Sequence, residues 1–274
     1  MTTEDKPEVD LRLLSSLLDE EEEEEGKEEV EKGLPADDEA AMLDVAEGGE
    51  NGDQRYYLTS IEHTVVIRQI RSQGLSFQLW PAASSLVSLL DSRPSALLFP
   101  ATSHIRILEL GSGTGLVGIA AAAILGASVT LTDLPHVLPN LRFNAESNAA
   151  AVAARGGSLD VRQLRWGEDE DAAALVDGEA AFDVVVASDV VYYEHLIDPL
   201  LRTLRVFVKG EAAFVMAHLR RWKKRDSVFF RKARKLFDVA VVHTDPPLPG
   251  KRLGVAIYRF TAKRKLLRED QQRD

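Results

Sequence analysis

Beyond about residue 100, short apolar and β-branched runs alternate with longer stretches whose apolar positions recur at helical spacing. The runs at 105–110, 128–132, 159–164, 182–188, 211–217, 238–243 and 253–260 have the length and composition of strands. The stretches at 115–126, 135–154, 195–208 and 226–237 read as helices. Such alternation predicts an α/β fold, doubly wound around a mostly parallel seven-stranded sheet. No helix separates the last two strands. Pro246, Pro247, Pro249 and Gly250 predict a turn there, which makes the last strand antiparallel to its neighbour. Ahead of the sheet, Tyr57 to Gln69 and Leu75 to Leu79 alternate enough for a β-hairpin turning at Ser72-Gln73-Gly74. A helix over Ala82 to Leu90 and a proline-containing loop over Asp91 to Ser103 follow.

Charge divides the chain. Residues 1–54 carry 21 acids and 4 bases, a net of −17, whereas the whole chain is −11, which leaves +6 on the remainder. Asp19 to Glu25 is an unbroken acidic run, and no aromatic residue precedes Tyr56. A segment of this kind repels itself and lacks the apolar mass to offset chain entropy, so 1–54 is expected to be a disordered acidic tail. Within it, Leu11, Leu13, Leu14, Leu17 and Leu18 could form a transient amphipathic helix. One folded domain is expected over 55–262, followed by a charged tail over 263–274.

The absence of cysteine excludes disulfides and thiol ligands and suits a reducing compartment, so a cytoplasmic and also nuclear location is expected. The acidic N-terminus reads as neither a signal nor a transit peptide, and no apolar run approaches the ~20 residues of a membrane span. The six histidines are scattered, so no metal site is expected. Basic residues crowd 220–235, interleaved with Trp222, Phe229 and Phe230. A solvated helix face with its aromatics turned inward accounts for them better than a nucleic-acid patch does. Docking of the acidic tail on this cluster is a third reading. Trp222 itself is expected to pack.

Candidate chemistry concentrates in Ile107-Leu108-Glu109-Leu110-Gly111-Ser112-Gly113-Thr114-Gly115. A strand enters a glycine turn that opens straight into a helix, an arrangement that brings backbone N–H groups close to an adenosine-containing cofactor. Asp133 ends the next strand, 22 residues after Gly111, at the spacing of an acid that reaches ribose hydroxyls. That spacing fits a nicotinamide dinucleotide as well as S-adenosylmethionine. Glu109 favours the second, because an acid beside the turn suits an amino-acid ammonium and repels a pyrophosphate.

Further segments carry a resemblance. Gly74 to Ala83, containing Trp80, is similar to a tryptophan-bearing segment that precedes the sheet in the seven-β-strand methyltransferases of family 16, a group rich in protein-lysine methyltransferases. Glu109 to Gly115 resembles their first motif and Leu131-Thr132-Asp133 their second. Leu164-Arg165-Trp166-Gly167 resembles the adenine-contacting segment, and Ala187-Ser188-Asp189-Val190-Val191-Tyr192 the acid-x-x-aromatic motif. The match covers roughly residues 55 to 262. It implies a Rossmann-like methyltransferase fold and S-adenosylmethionine as cofactor, bound by Trp80, Glu109, Gly111, Ser112, Gly113, Asp133, Trp166 and Ser188. It also implies catalytic roles for Asp189, holding an incoming lysine ammonium, and for Tyr192, walling the lysine channel. The implied partner is a protein substrate, with chaperones, translation factors and ATPases as the classes modified by relatives. The chain is expected to be a monomer.

The same residues admit other functions. A methyltransferase of small molecules or nucleotides shares the cofactor motifs. Exocyclic-amine methyltransferases of nucleic acids carry prolines after the acid, which Asp189-Val190-Val191-Tyr192 lacks. A non-catalytic cofactor-binding interaction module would retain the pocket, but none of these motifs is eroded. A nicotinamide oxidoreductase is disfavoured by Glu109 and by the closing hairpin.

Overall fold

The computed structural model describes residues 52–92, 98–99, 104–176, 181–247 and 254–263. The expected acidic tail up to residue 51, its leucine helix, and the charged tail from 264 lie outside the described residues.

Strands β1 (Gly52–Leu58) and β2 (His63–Gln69) form an antiparallel hairpin. Its position corrects the sequence reading. The turn lies at Thr59–Glu62, and Leu75–Phe77 is a 3-10 turn rather than a second strand. The alternation from Tyr57 to Gln69 therefore belongs to two strands. What splits it is remote: the Asp91 carboxylate accepts the N–H groups of Thr59 and Ser60, both at 2.8 Å, and Glu62 turns the chain with a φ of 51°. Gly52 pairs with Gln69, so the hairpin also takes in residues 52–54, which composition assigned to the tail.

Helix α1 (Pro81–Ser92) leads to the main sheet: β3 (Arg106–Leu110), α2 (Leu116–Leu125), β4 (Ser128–Asp133), α3 (Leu138–Ser147), α4 (Ala149–Ala153) and β5 (Ser158–Gln163). The second half is α5 (Asp169–Val176), β6 (Val184–Ser188), α6 (Ile197–Phe207), β7 (Ala213–Leu219), α7 (Lys223–Leu236), β8 (Phe237–Thr244) and β9 (Val255–Ala262). The strand order is β5-β4-β3-β6-β7-β9-β8. Neighbours from β5 through β7 pair parallel, and β9 lies antiparallel between β7 and β8. The expected doubly wound sheet with an antiparallel last strand is therefore the observed one. Its order reverses between β3 and β6, and open α/β sheets bind ligands beyond the strand ends at such a point.

Both faces of the sheet are covered, which explains why its strands read as continuous apolar runs. Ile107, Val129, Leu131, Val186 and Ile257 pack with α1 and α2 on one side, while Leu108, Val185, Phe214, Met216 and Phe260 pack with α6 and α7 on the other. Ala120 to Ala123 are fully buried, their small side chains letting α2 lie close to the sheet.

The helices depart from the sequence reading in two places. The stretch 135–154 is two helices, α3 and α4, broken at Asn148 (φ −109°, ψ 2°). The Asn148 side chain pairs with both the N–H and the C=O of Val66. Asn144 does the same for Arg68, and Asn140 accepts from the Arg68 guanidinium at 2.7 Å. At a spacing of four, these asparagines fall on one helix face and satisfy the edge of β2 that β1 leaves unpaired. Helix α5 had no counterpart in the sequence reading. Its eight residues open on Asp169, Glu170 and Asp171, acids placed where the helix dipole favours them.

Among the described residues, no helix is long and apolar enough to cross a membrane.

Candidate active site

The glycine turn after β3 is tied to β4 through a small buried network. Ser112 N–H donates to the Thr132 carbonyl at 2.9 Å, and Ser112 Oγ accepts the Thr132 N–H at 3.0 Å. Thr132 Oγ1 donates to the Glu109 carbonyl at 2.6 Å. Ser112 thus holds the loop in place through a hydroxyl turned inward. Glu109 is 1% exposed, and its Oε2 accepts the Gly118 N–H in the first turn of α2 at 3.1 Å. Burial, with a smaller push from Asp133, raises its carboxyl to about 8 against the Ser112 and Gly118 hydrogen bonds. Its carboxyl lies beneath the turn, buried between β3 and α2.

Asp133 is the acid at the end of β4. Its Oδ2 accepts from Gly113 N–H and its Oδ1 from Leu134 N–H, each at 2.7 Å. Burial raises this carboxyl although both N–H groups pull it down. The Gly113 φ of 54° is one that L side chains rarely adopt, and a Cβ there would stand 3.1 Å from the Ser76 carbonyl. Only glycine lets the chain around Ser76 come this close while its N–H faces Asp133. The Trp166 ring lies against Gly111, 2.9 Å from the place a Cβ would occupy, with Val190 on the same residue. Trp80 donates its indole N–H to the Leu75 carbonyl at 3.0 Å.

Beyond β6 the chain takes a sharp turn. Ser188 ends the strand, half-buried and opposite Ala217, and Asp189 adopts a φ of 53°. Asp189 Oδ1 accepts the Leu219 N–H at 2.9 Å, while Oδ2 meets the Arg221 guanidinium at 2.9 Å. Burial alone would raise this carboxyl, but the Arg221 charge, followed by His218, holds it down at about 2. Behind it, His218 stands between two carboxylates, with Nδ1 3.4 Å from Asp189 Oδ1 and Nε2 3.0 Å from Asp226 Oδ1. The Arg221 guanidinium lies 5.4 Å from the Trp80 ring and 5.9 Å from Trp222. The Tyr192 carbonyl accepts from Arg225 at 2.6 Å, and its ring meets Tyr193 edge-on at 4.9 Å. Burial, then the Asp133 charge and Tyr193, pushes the Tyr192 hydroxyl up to about 12.

The predicted residues therefore gather at the carboxyl ends of β3, β4 and β6. Glu109, Ser112, Gly113 and Asp133 share one hydrogen-bonded unit, with Trp166 stacked on Gly111. Asp189 and Trp80 are linked through Arg221. The sequence reading missed Arg221, His218, Asp226 and Asn144. The basic run reads as a solvated helix face, yet Arg221 precedes α7 and its side chain is only 8% exposed. Its place directly after β7, at the ligand-bearing edge, was the available signal. Among the described residues no group of histidines and acids could hold a metal ion.

This geometry suits a small cofactor with hydroxyls and a flat base. The model of a family described as lysine methyltransferase matches residues 60–236. The chain belongs to that family. S-adenosylmethionine is accordingly the cofactor of this methyltransferase, and protein lysine is its acceptor class. The enzyme is 33% identical over 197 residues to the zebrafish (Danio rerio) protein N-lysine methyltransferase METTL21A, covering 70% of this chain and 84% of that protein. It is 33% identical over 236 residues to the Mus musculus METTL21A, covering 84% and 99%. The Mus musculus EEF1A lysine methyltransferase 3 is 33% identical over 159 residues, 58% of this chain and 62% of that one. A Pyrococcus horikoshii protein of solved structure shares the fold at 14% identity, with a TM-score of 0.50 over 78% of this chain and 74% of that one.

Proposed function

We propose that this methyltransferase binds its cofactor on the β3–β4 side of the switch point and receives the substrate lysine at the end of β6. Asp133 carries the cofactor reading. A carboxylate offers about four lone-pair positions. Gly113 and Leu134 take one on each oxygen, which leaves one on each for the two ribose hydroxyls. Gly111 and Gly113 line the approach, Trp166 and Ser188 flank the base, and Trp80 lies along the cofactor. Glu109 and Ser112 act through the loop they brace.

S-adenosylmethionine supplies an electrophilic methyl on a sulfonium, transferred in line to an amine nitrogen. The protein's part is alignment and desolvation. Asp189 offers the lysine ammonium its Oδ2, the oxygen that Arg221 meets in the free enzyme, and Tyr192 walls the channel. Attack requires the neutral amine, so the ammonium must lose a proton first. Asp189, held down near 2, orients the nitrogen rather than removing that proton.

The relatives' names motivate a finer proposal: a translation elongation factor is the first substrate to test, ahead of chaperones and ATPases. A cytoplasmic or nuclear setting fits the cysteine-free chain.

The test is incubation with methyl-labelled S-adenosylmethionine and a cell lysate, followed by peptide mapping. Label on lysine, lost in Asp189→Ala while S-adenosylhomocysteine still binds, is the expected result. Label on a small molecule or nucleotide would replace the acceptor, and cofactor binding with no transfer at all would favour an interaction module.

A further inference from the structure

The two oxygens of Asp189 are held in different ways. Oδ1 takes the Leu219 backbone N–H at 2.9 Å and faces His218 Nδ1 at 3.4 Å, both fixed by β7. Oδ2 has the Arg221 guanidinium, the tip of a long side chain lying near the rings of Trp80 and Trp222. His218 and Asp226 are both fully buried and pair with each other behind Asp189. An uncompensated charge at this depth would be untenable. The cluster of two carboxylates, one imidazolium and one guanidinium is electrically neutral.

We propose that His218 and Asp226 are positioning residues that fix the Asp189 carboxylate through Oδ1 and leave Oδ2 to an exchangeable cation, Arg221 in the free enzyme and the substrate ammonium in the complex. The proposal rests on the reading of Asp189 given above. A neutral imidazole could donate to only one of its two carboxylates and would turn a lone pair on the other. The imidazolium carries an N–H toward each: Nε2 makes a hydrogen bond to Asp226 Oδ1 at 3.0 Å, and Nδ1 faces Asp189 Oδ1 at 3.4 Å as an ion pair. The groups facing it agree: Asp189 comes from the end of β6, Asp226 from α7, and Arg221 joins from beyond β7, while Ala256, its partner on β9, is apolar. Burial would lower the His218 ring, but the Asp189 and Asp226 carboxylates beside it raise it. Asp189 also carries a left-handed backbone, the kind of strain that persists only where surrounding contacts enforce it. Leu219 and His218 are those contacts.

Two measurements test this. In the wild-type protein with S-adenosylhomocysteine bound, imidazole nitrogen NMR should show both ring N–H protons on His218, still present where an ordinary histidine has become neutral. The signal is assigned by its loss in His218→Gln, and Asp226→Asn should move its titration to lower pH. A single ring N–H, or titration in the ordinary histidine range, overturns the proposal without any variant having to fold. The second measurement is the initial rate of label transfer to lysate protein, followed from pH 6 to 9. His218→Gln and Asp226→Asn should each slow transfer by roughly tenfold with affinity for S-adenosylhomocysteine unchanged, and the double variant should be no slower than the worse single, as expected for residues acting as one unit. Wild-type rates or multiplying losses would overturn it. Absence of transfer by the wild type would instead sink the functional reading, leaving the NMR result to stand or fall alone.

Discussion

The Glu109 carboxyl accepts the Gly118 N–H at 3.1 Å, which ties the end of β3 to the first turn of the helix that the glycine turn opens. Its position makes Glu109 a pH-dependent element of stability. Its carboxyl is raised to about 8, chiefly by burial, so the folded protein keeps a proton that the unfolded chain releases. That contribution is complete below the ordinary carboxylate range and is lost as pH rises through about 8. Glu109→Gln stays neutral throughout. The melting temperature of Glu109→Gln relative to wild type should therefore climb between pH 5 and pH 8.5, as read by thermal scans. A difference independent of pH would refute the assignment.

Gly118→Ala tests the same contact sterically. A Cβ there would stand 2.2 Å from a Leu131 methyl and 2.6 Å from Glu109 Oε2. Neither neighbour can retreat from the packed face between α2 and the sheet, so a loss of about 1–3 kcal/mol in unfolding free energy is expected. Denaturant titration measures it. A neutral substitution would mean that the helix is free to lift off the sheet.

Asp133→Ala should weaken S-adenosylhomocysteine binding by about 1–3 kcal/mol, the cost of leaving polar partners unpaired. Calorimetry should find this loss, and no binding of NAD to the wild type. Tight NAD binding would contradict the cofactor assignment.

Asn144 connects the hairpin to the cofactor loop: its Oδ1 accepts the Arg68 N–H at 2.9 Å, and its Nδ2 donates to the Thr114 carbonyl at 2.9 Å. Asn144→Ala leaves both backbone groups without that partner, so about 1–3 kcal/mol of stability should be lost. Hydrogen exchange should quicken at Arg68 in particular. Unchanged protection there would show that the hairpin docks without the asparagines.

At Tyr192 the ring and the hydroxyl are separable. Tyr192→Phe keeps the wall and should retain most label transfer, whereas Tyr192→Ala should lose it. Equal losses would give the hydroxyl the larger part.

Much of this protein is legible in its sequence because the deciding signals are local. Strand-length apolar runs, a glycine turn between strand and helix, an acid ending β4 and a proline-rich turn before β9 each depend on neighbouring residues, and they determined the sheet, its antiparallel strand and the location of Asp133 and Asp189. Tertiary structure decided what depends on distant partners. The hairpin turn is set by Asp91, some 30 residues from Thr59 and Ser60, and the break at Asn148 by a strand 82 residues away. His218, Asp226 and Arg221 look unremarkable among scattered histidines and a basic run. Burial is what gives them meaning, since a charged group withdrawn from water must find its counter-charge in space, and no periodicity along the chain records where that partner lies.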